Sequence, residues 1–109
     1  MAKESDIEKY LVARVRALGG ECRKVKWVGR NGAPDRLVML PYSVDWAARG
    51  RPHRGGVVLW IELKRPGKLA TFPADAHERA QAREYKRMHK MGQHVVVIDS
   101  FAGVDEVLR

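Results

Sequence analysis

The sequence predicts an α/β fold: a mixed sheet of about four strands flanked by helices, in the order α-β-β-β-α-β-α. Three observations carry this. Ser5-Asp6-Ile7-Glu8 opens a segment whose apolar residues recur every three to four positions. Val57–Lys64 alternates with a period of two, and Gln93–Asp99 (QHVVVID) is an apolar run of strand length.

Ser5 and Glu8 have the spacing of a capping box, Ser at N-cap and Glu at N3. Ile7, Leu11, Val15 and Leu18 then recur at helical spacing and Gly19-Gly20 supplies the stop, which predicts a helix over about Asp6–Leu18. Cys22–Val28 alternates Cys22/Lys24/Lys26/Val28 against Arg23/Val25/Trp27, a first strand. Turn residues fill Gly29–Pro34, and Asp35–Leu40 (DRLVML) is a second strand. Residues 41–56 hold three glycines, two prolines, Arg49, Arg51, His53 and Arg54 without periodicity, and read as a flexible basic hairpin loop. In the third strand Val57, Leu59, Ile61 and Leu63 share an apolar face, and Val58, Trp60, Glu62 and Lys64 share the other. A second helix starts near Thr71–Asp75, with a box-like Asp75-x-x-Glu78, and ends before Gly92. Its inward stripe is His77, Gln81, Tyr85 and Met88. Gln93–Asp99 is a buried fourth strand, and Ser100 caps a short helix through Leu108. With no repeat and no linker, residues 1–109 read as one domain.

Twenty-one Lys and Arg against thirteen Asp and Glu give a net charge of +8. On so small a chain that favours a polyanionic partner, nucleic acid first, against the plainer reading of a merely basic protein. The single cysteine, Cys22, provides neither an intrachain disulfide framework nor a zinc ligand set, and fits a reducing, cytoplasmic setting. The N-terminus is charged from Lys3 onward, unlike a signal peptide. No apolar run has transmembrane length and no basic amphipathic helix carries bulky anchors, so no membrane partner is expected.

The chemistry concentrates where the third strand turns from apolar to charged. Glu62 and Lys64 lie on one strand face, about 7 Å apart by strand rise. A carboxylate there can hold a hard cation such as Mg²⁺, and an ammonium can hold water or counter charge on a phosphate. Alone, Glu-x-Lys is most often an ion pair at a strand end. Asp35 adds weight: Pro34 fixes a bend before it, and a hairpin between the second and third strands sets Asp35 beside the Glu62–Lys64 end. The competing reading is an ordinary turn aspartate. Glu8 has a capping role available, yet it borders the apolar stripe near Val12 and Val15 and so aims at the sheet. Gln81 on an inward stripe needs a partner: a core carbonyl, a metal-bound water or a phosphate.

"GAPDRLVML", "LWIELKRPG", a helix with "QAREY" and a strand "HVVVIDS" together resemble the VRR-NUC branch of the PD-(D/E)xK nuclease superfamily, over Glu8–Leu108. The resemblance implies a restriction-endonuclease-like core and cleavage of DNA with Mg²⁺ or Mn²⁺. It implies Asp35, Glu62 and the Leu63 backbone carbonyl as metal ligands, Lys64 as the catalytic lysine and Gln81 as the motif glutamine. Glu8 takes the place of an N-terminal helix glutamate that assists the metal. Small stand-alone members of phages and bacteria are similar to homodimeric junction-resolving enzymes, which implies four-way DNA as partner and, for a phage protein, the host cytoplasm. The long basic loop departs from the shorter turn of many members. Lys24, Lys26, Arg49, Arg51, His53 and Arg54 are the candidate phosphate contacts. The alternatives are a flap or nicking endonuclease, and a non-catalytic basic nucleic-acid-binding module.

Overall fold

The computed structural model describes residues 2–41 and 56–108. The expected element order is present. Helix α1 spans Glu4–Ala17, strand β1 Glu21–Lys24, β2 Arg36–Leu40 and β3 Val57–Leu63. A single 3₁₀ turn at Leu69–Thr71 precedes α2 (Ala76–Lys90), followed by β4 (Val95–Ile98) and α3 (Phe101–Val107). The strands lie in the order β1-β2-β3-β4, antiparallel except for the parallel pair β3–β4. The parallel pair follows from α2, the crossover that parallel strands require. Most of the predicted basic loop, with Arg49, Arg51, His53 and Arg54, lies outside the described residues.

Two apolar clusters sandwich the sheet. On one face Ile7, Leu11 and Val15 of α1, spaced four apart, are fully buried against Val38, Leu40, Val57, Ile61, Leu63 and Ile98. Val104 and Leu108 join them from the C-terminal segment. On the other face Tyr85 and Met88 of α2 pack with Val95, Trp60, Phe72 and Val97. The alternation of β3 is as the sequence predicts: Val57, Ile61 and Leu63 are buried, while Glu62 takes the second face, under α2.

Two local readings change. The first helix starts earlier, with Lys3 at the N-cap and its backbone N–H donating to Asp6 Oδ2 at 2.8 Å. Ser5 is therefore inside the helix, and Glu8 is released from capping. The stripe of α2 runs through Glu78, Gln81, Tyr85 and Met88, and His77 is exposed. At the outer side of α1, apolar and polar groups pack against the FAGVDEVL segment. Tyr10 meets Phe101 edge-on at 5.2 Å and donates to Asp105 at 2.7 Å, and Arg14 pairs with the same carboxylate.

Candidate active site

The β2–β3 register, Arg36 opposite Ile61 and Leu37 opposite Trp60, sets the next residue pair outward as Asp35 and Glu62. Directly opposed residues of an antiparallel pair share a face, so both carboxylates stand on the α2 side at one end of the sheet. Glu62 is largely withdrawn from water. Burial, reinforced by the charges of Asp35 and more distantly Glu4, pushes its carboxyl above the ordinary range. Tyr85 and Lys64 oppose that shift, the Tyr85 hydroxyl donating to Glu62 Oε1 at 3.1 Å. Burial and the neighbouring Glu62 carboxylate in turn hold the Tyr85 proton in place well above the usual phenol range.

Lys64, the next residue on that face, is clasped from α2. Its Nζ donates to Gln81 Oε1 at 2.8 Å and sits 3.2 Å from Glu78 Oε2. The Phe72 ring lies 5.3 Å beneath the ammonium. An ammonium has three donors, so this clasp leaves one to turn toward a substrate oxygen. Glu78 is itself fixed: Ala74 N–H donates to its Oε1 at 2.8 Å, and that bond, with Lys64, holds its carboxyl below the usual range. Gln81 thus has a partner that the sequence reading did not weigh, the lysine.

Asp35 is placed by the turn before it. Gly32 presses on α2, where an added Cβ would lie 3.1 Å from the Gln81 backbone nitrogen. Arg30 reaches the buried Glu84 at 3.1 Å. The Trp27 indole N–H donates to Pro34 O at 2.7 Å, and the Val25 N–H to Asp35 O at 2.9 Å. These ties hold both flanks of Asp35. Glu8 is not brought alongside the carboxylate pair: its carboxylate accepts from the buried Arg36 at 2.7 Å, and Arg36 lies 3.4 Å from Asp35 Oδ2. Among the described residues no three His, Cys, Asp or Glu side chains converge to hold a metal. Two carboxylates still suit a hard cation that keeps part of its water shell, and their mutual repulsion, visible at Glu62, is what such a cation would relieve.

Lys24 and Lys26 make no ion pair among the described residues and flank the Asp35 turn. The sequence reading missed Glu78, Tyr85 and the Trp27–Arg30–Gly32 lock. Tyr85 was within reach of inspection, standing four after Gln81 on the stripe that the sequence marks as inward.

Comparison with known proteins bears on the family and the fold. No family model matches the chain. The chain is 36% identical over 100 residues to "Putative nuclease p44" of Acyrthosiphon pisum secondary endosymbiont phage 1, covering 92% of this chain and 86% of that protein. A solved structure described as a VRR_NUC domain superposes with a TM-score of 0.68 at 36% identity, over 95% of this chain and 91% of the other. A mixed four-stranded sheet flanked by helices, with that likeness in sequence and structure, identifies the chain as a member of the VRR-NUC family of nucleases.

Proposed function

We propose that residues 1–109 act as one divalent-metal-dependent endonuclease domain that cuts branched DNA, the four-way junction first, as a cytoplasmic homodimer. The observation that carries this is the opposition of Asp35 and Glu62 at one sheet end, with Lys64 on the same face. Asp35, Glu62 and the Leu63 carbonyl would hold Mg²⁺ or Mn²⁺, which when bound polarises the phosphate and acidifies water. The chain's own groups do the rest. Lys64, held by Gln81 and Glu78, turns its remaining donor to a non-bridging phosphate oxygen and stabilises the charge that builds as water attacks in line and the 3′ oxygen leaves. Tyr85 fixes the rotamer of Glu62, and Glu8 acts through Arg36 to steady Asp35. Lys24 and Lys26, with Arg49, Arg51, His53 and Arg54 of the basic loop, contact the DNA backbone. Two opposed cuts in a two-fold junction call for two sites, which a dimer supplies.

The test is a panel of four-way junction, flap and linear duplex, each with Mn²⁺, Mg²⁺ or EDTA, with sedimentation of the free protein and its junction complex. Metal-dependent paired cuts in the junction by a dimer support the reading. Lys64→Ala should lose at least about a hundredfold in rate, as when one transition-state donor is removed, while junction binding persists. A wild-type rate for Lys64→Ala would sink the site assignment. The absence of metal-dependent product from every substrate would favour a binding module, and flap cutting alone would favour the flap enzyme.

A further inference from the structure

On the β1 side of the carboxylate pair the molecule has an open cleft of about 580 Å³, bordered by Asp35 and not by Glu62 or Lys64. Its walls include Lys24, Lys26, Trp27 and Arg30, and Asp35 closes one side. The volume falls in the range of small-ligand clefts, enough for one nucleotide.

Its chemistry is specific. Trp27 has a single polar atom, the indole N–H, and Pro34 O takes it at 2.7 Å. Trp60 lies against it at 5.2 Å and 46°. The indole is thus held still yet remains 36% exposed, an apolar ring surface that water cannot satisfy. The lining includes three basic residues, of which Lys24 and Lys26 make no ion pair among the described residues, and Asp35 is its single acid among those residues. Arg30 is anchored to Glu84 and still half exposed, so its position is set while part of its guanidinium faces outward.

A paired duplex offers such a cleft only phosphates, because its bases are stacked inward. An unpaired nucleotide offers both a phosphate for the cations and a base for the indole. We propose that this cleft takes one unpaired deoxynucleotide next to the scissile phosphate, so that single-stranded character at the cut is part of what the enzyme recognises. The assignment of the neighbouring phosphate to the cut rests on the active-site reading above; the binding of an unpaired nucleotide does not. A cleft of this kind disfavours continuous duplex and accepts the strand exchange point of a junction, a gap or the base of a flap.

The experiment is photocrosslinking of the full chain, in EDTA, to a single-stranded oligodeoxynucleotide carrying one 5-iododeoxyuridine. Affinities for that strand and for a duplex of equal length are measured alongside. The crosslinked peptide should contain Trp27. Trp27→Leu should lower single-strand affinity roughly tenfold, the loss of one base–aromatic stack, and duplex affinity less than about twofold. Because Trp27 also braces the Asp35 turn, Trp27→Phe is the second variant: it keeps a ring and should keep most of the single-strand affinity. Lys26→Ala, at an exposed side chain, should lower the salt slope of single-strand binding by about one. A crosslink mapped away from Trp27, or equal losses for strand and duplex in Trp27→Leu, would overturn the proposal. Mn²⁺-dependent cleavage by the wild type without a Trp27 crosslink removes the cleft and leaves the nuclease site. A Trp27 crosslink without cleavage under any ion keeps the cleft as a binding site and removes the Asp35–Glu62 assignment.

Discussion

At the scale of single residues, Glu78 decides how well Lys64 can work. A free lysine on a strand end samples many rotamers, and each must be lost again when the phosphate arrives. Glu78, Gln81 and Phe72 remove that freedom before substrate binds. Glu78→Gln keeps an acceptor for Ala74 N–H but ends the charge pair. It should lower kcat roughly ten- to a hundredfold with KM within about threefold, the signature of a misplaced reacting group. Equal loss in KM would mean that Glu78 serves binding instead. Glu62 makes a second prediction. Its carboxyl holds a proton more readily in the folded chain than in the unfolded one, because of burial and then Asp35. Ionised Glu62 therefore opposes folding above the ordinary glutamate pKa, and the opposition fades below about pH 4, where both states are protonated. In EDTA, Glu62→Gln should melt above the wild type at pH 8, and the two should converge as pH falls. Mn²⁺ should raise the wild-type melting temperature and leave the variant unmoved. Asp35, Glu62 and Lys64 could be found in the sequence because strand alternation and a hairpin fix their relative places with no tertiary knowledge. Glu78 could not. Its spacing from Asp75 already had a local explanation, and that explanation holds, since Asp75 Oδ1 does accept from Glu78 N at 2.8 Å. The second role of the same side chain depends on which strand lies under α2.

At the scale of elements, the turn between β1 and β2 is held to α2 and not merely flanked by it. Gly29 and Gly32 both have positive φ, +71° and +78°, but only Gly32 meets another element. Gly29→Ala would pay the left-handed backbone cost alone, about 1 kcal/mol. Gly32→Ala adds a methyl 3.1 Å from the Gln81 backbone, and neither the turn nor the helix can yield without moving Asp35 or Gln81. It should destabilise by about 2–3 kcal/mol in denaturant titration and cut activity by more than tenfold, while Gly29→Ala stays near the wild-type rate. Equal behaviour of the two variants would mean that the docking of this turn does not govern the site. The turn itself is plain in the glycines and proline of Gly29–Pro34; what it docks on is not, because a turn signal reports local φ and carries no address. The same limit explains the first helix. Ser5-x-x-Glu8 satisfies the capping spacing, but the helix starts two residues earlier, at Glu4, with Asp6 serving the exposed N–H of Lys3. With the cap moved two residues back, Glu8 has no capping role and its carboxylate is left for Arg36. Likewise Tyr10 and Phe101 face each other, a pairing between distant segments that no local pattern encodes.

At the scale of the whole molecule, the net charge of +8 is less informative than which cations remain uncommitted. Arg14, Arg23, Arg30, Arg36, Lys64 and Arg87 each face a carboxylate of the fold. Among the cations that make no ion pair within the described residues, Lys24, Lys26, Arg65 and Lys68 are the ones next to the strand ends that carry Asp35 and Glu62. Lys24 and Lys26 lie on the β1 side of Asp35, while Arg65 and Lys68 follow Lys64 in a loop that Asp99 organises, accepting from Gly67 N at 3.1 Å and Leu69 N at 3.0 Å. Uncommitted cations thus stand on both sides of the carboxylate pair, as a backbone running across the site requires. Each neutralised phosphate of a duplex arm releases counterions with a slope near −0.9 in log K against log salt. Junction binding in EDTA by the full chain should therefore have a slope of about −3 to −4 from these four groups, and steeper with the basic loop engaged. Lys26→Ala and Lys68→Ala should each flatten it by about one and together by about two, because they sit on opposite sides of the pair and act independently. Flattening by Lys26→Ala alone would confine the DNA to the β1 side, and a slope unchanged in both variants would remove this path across the site.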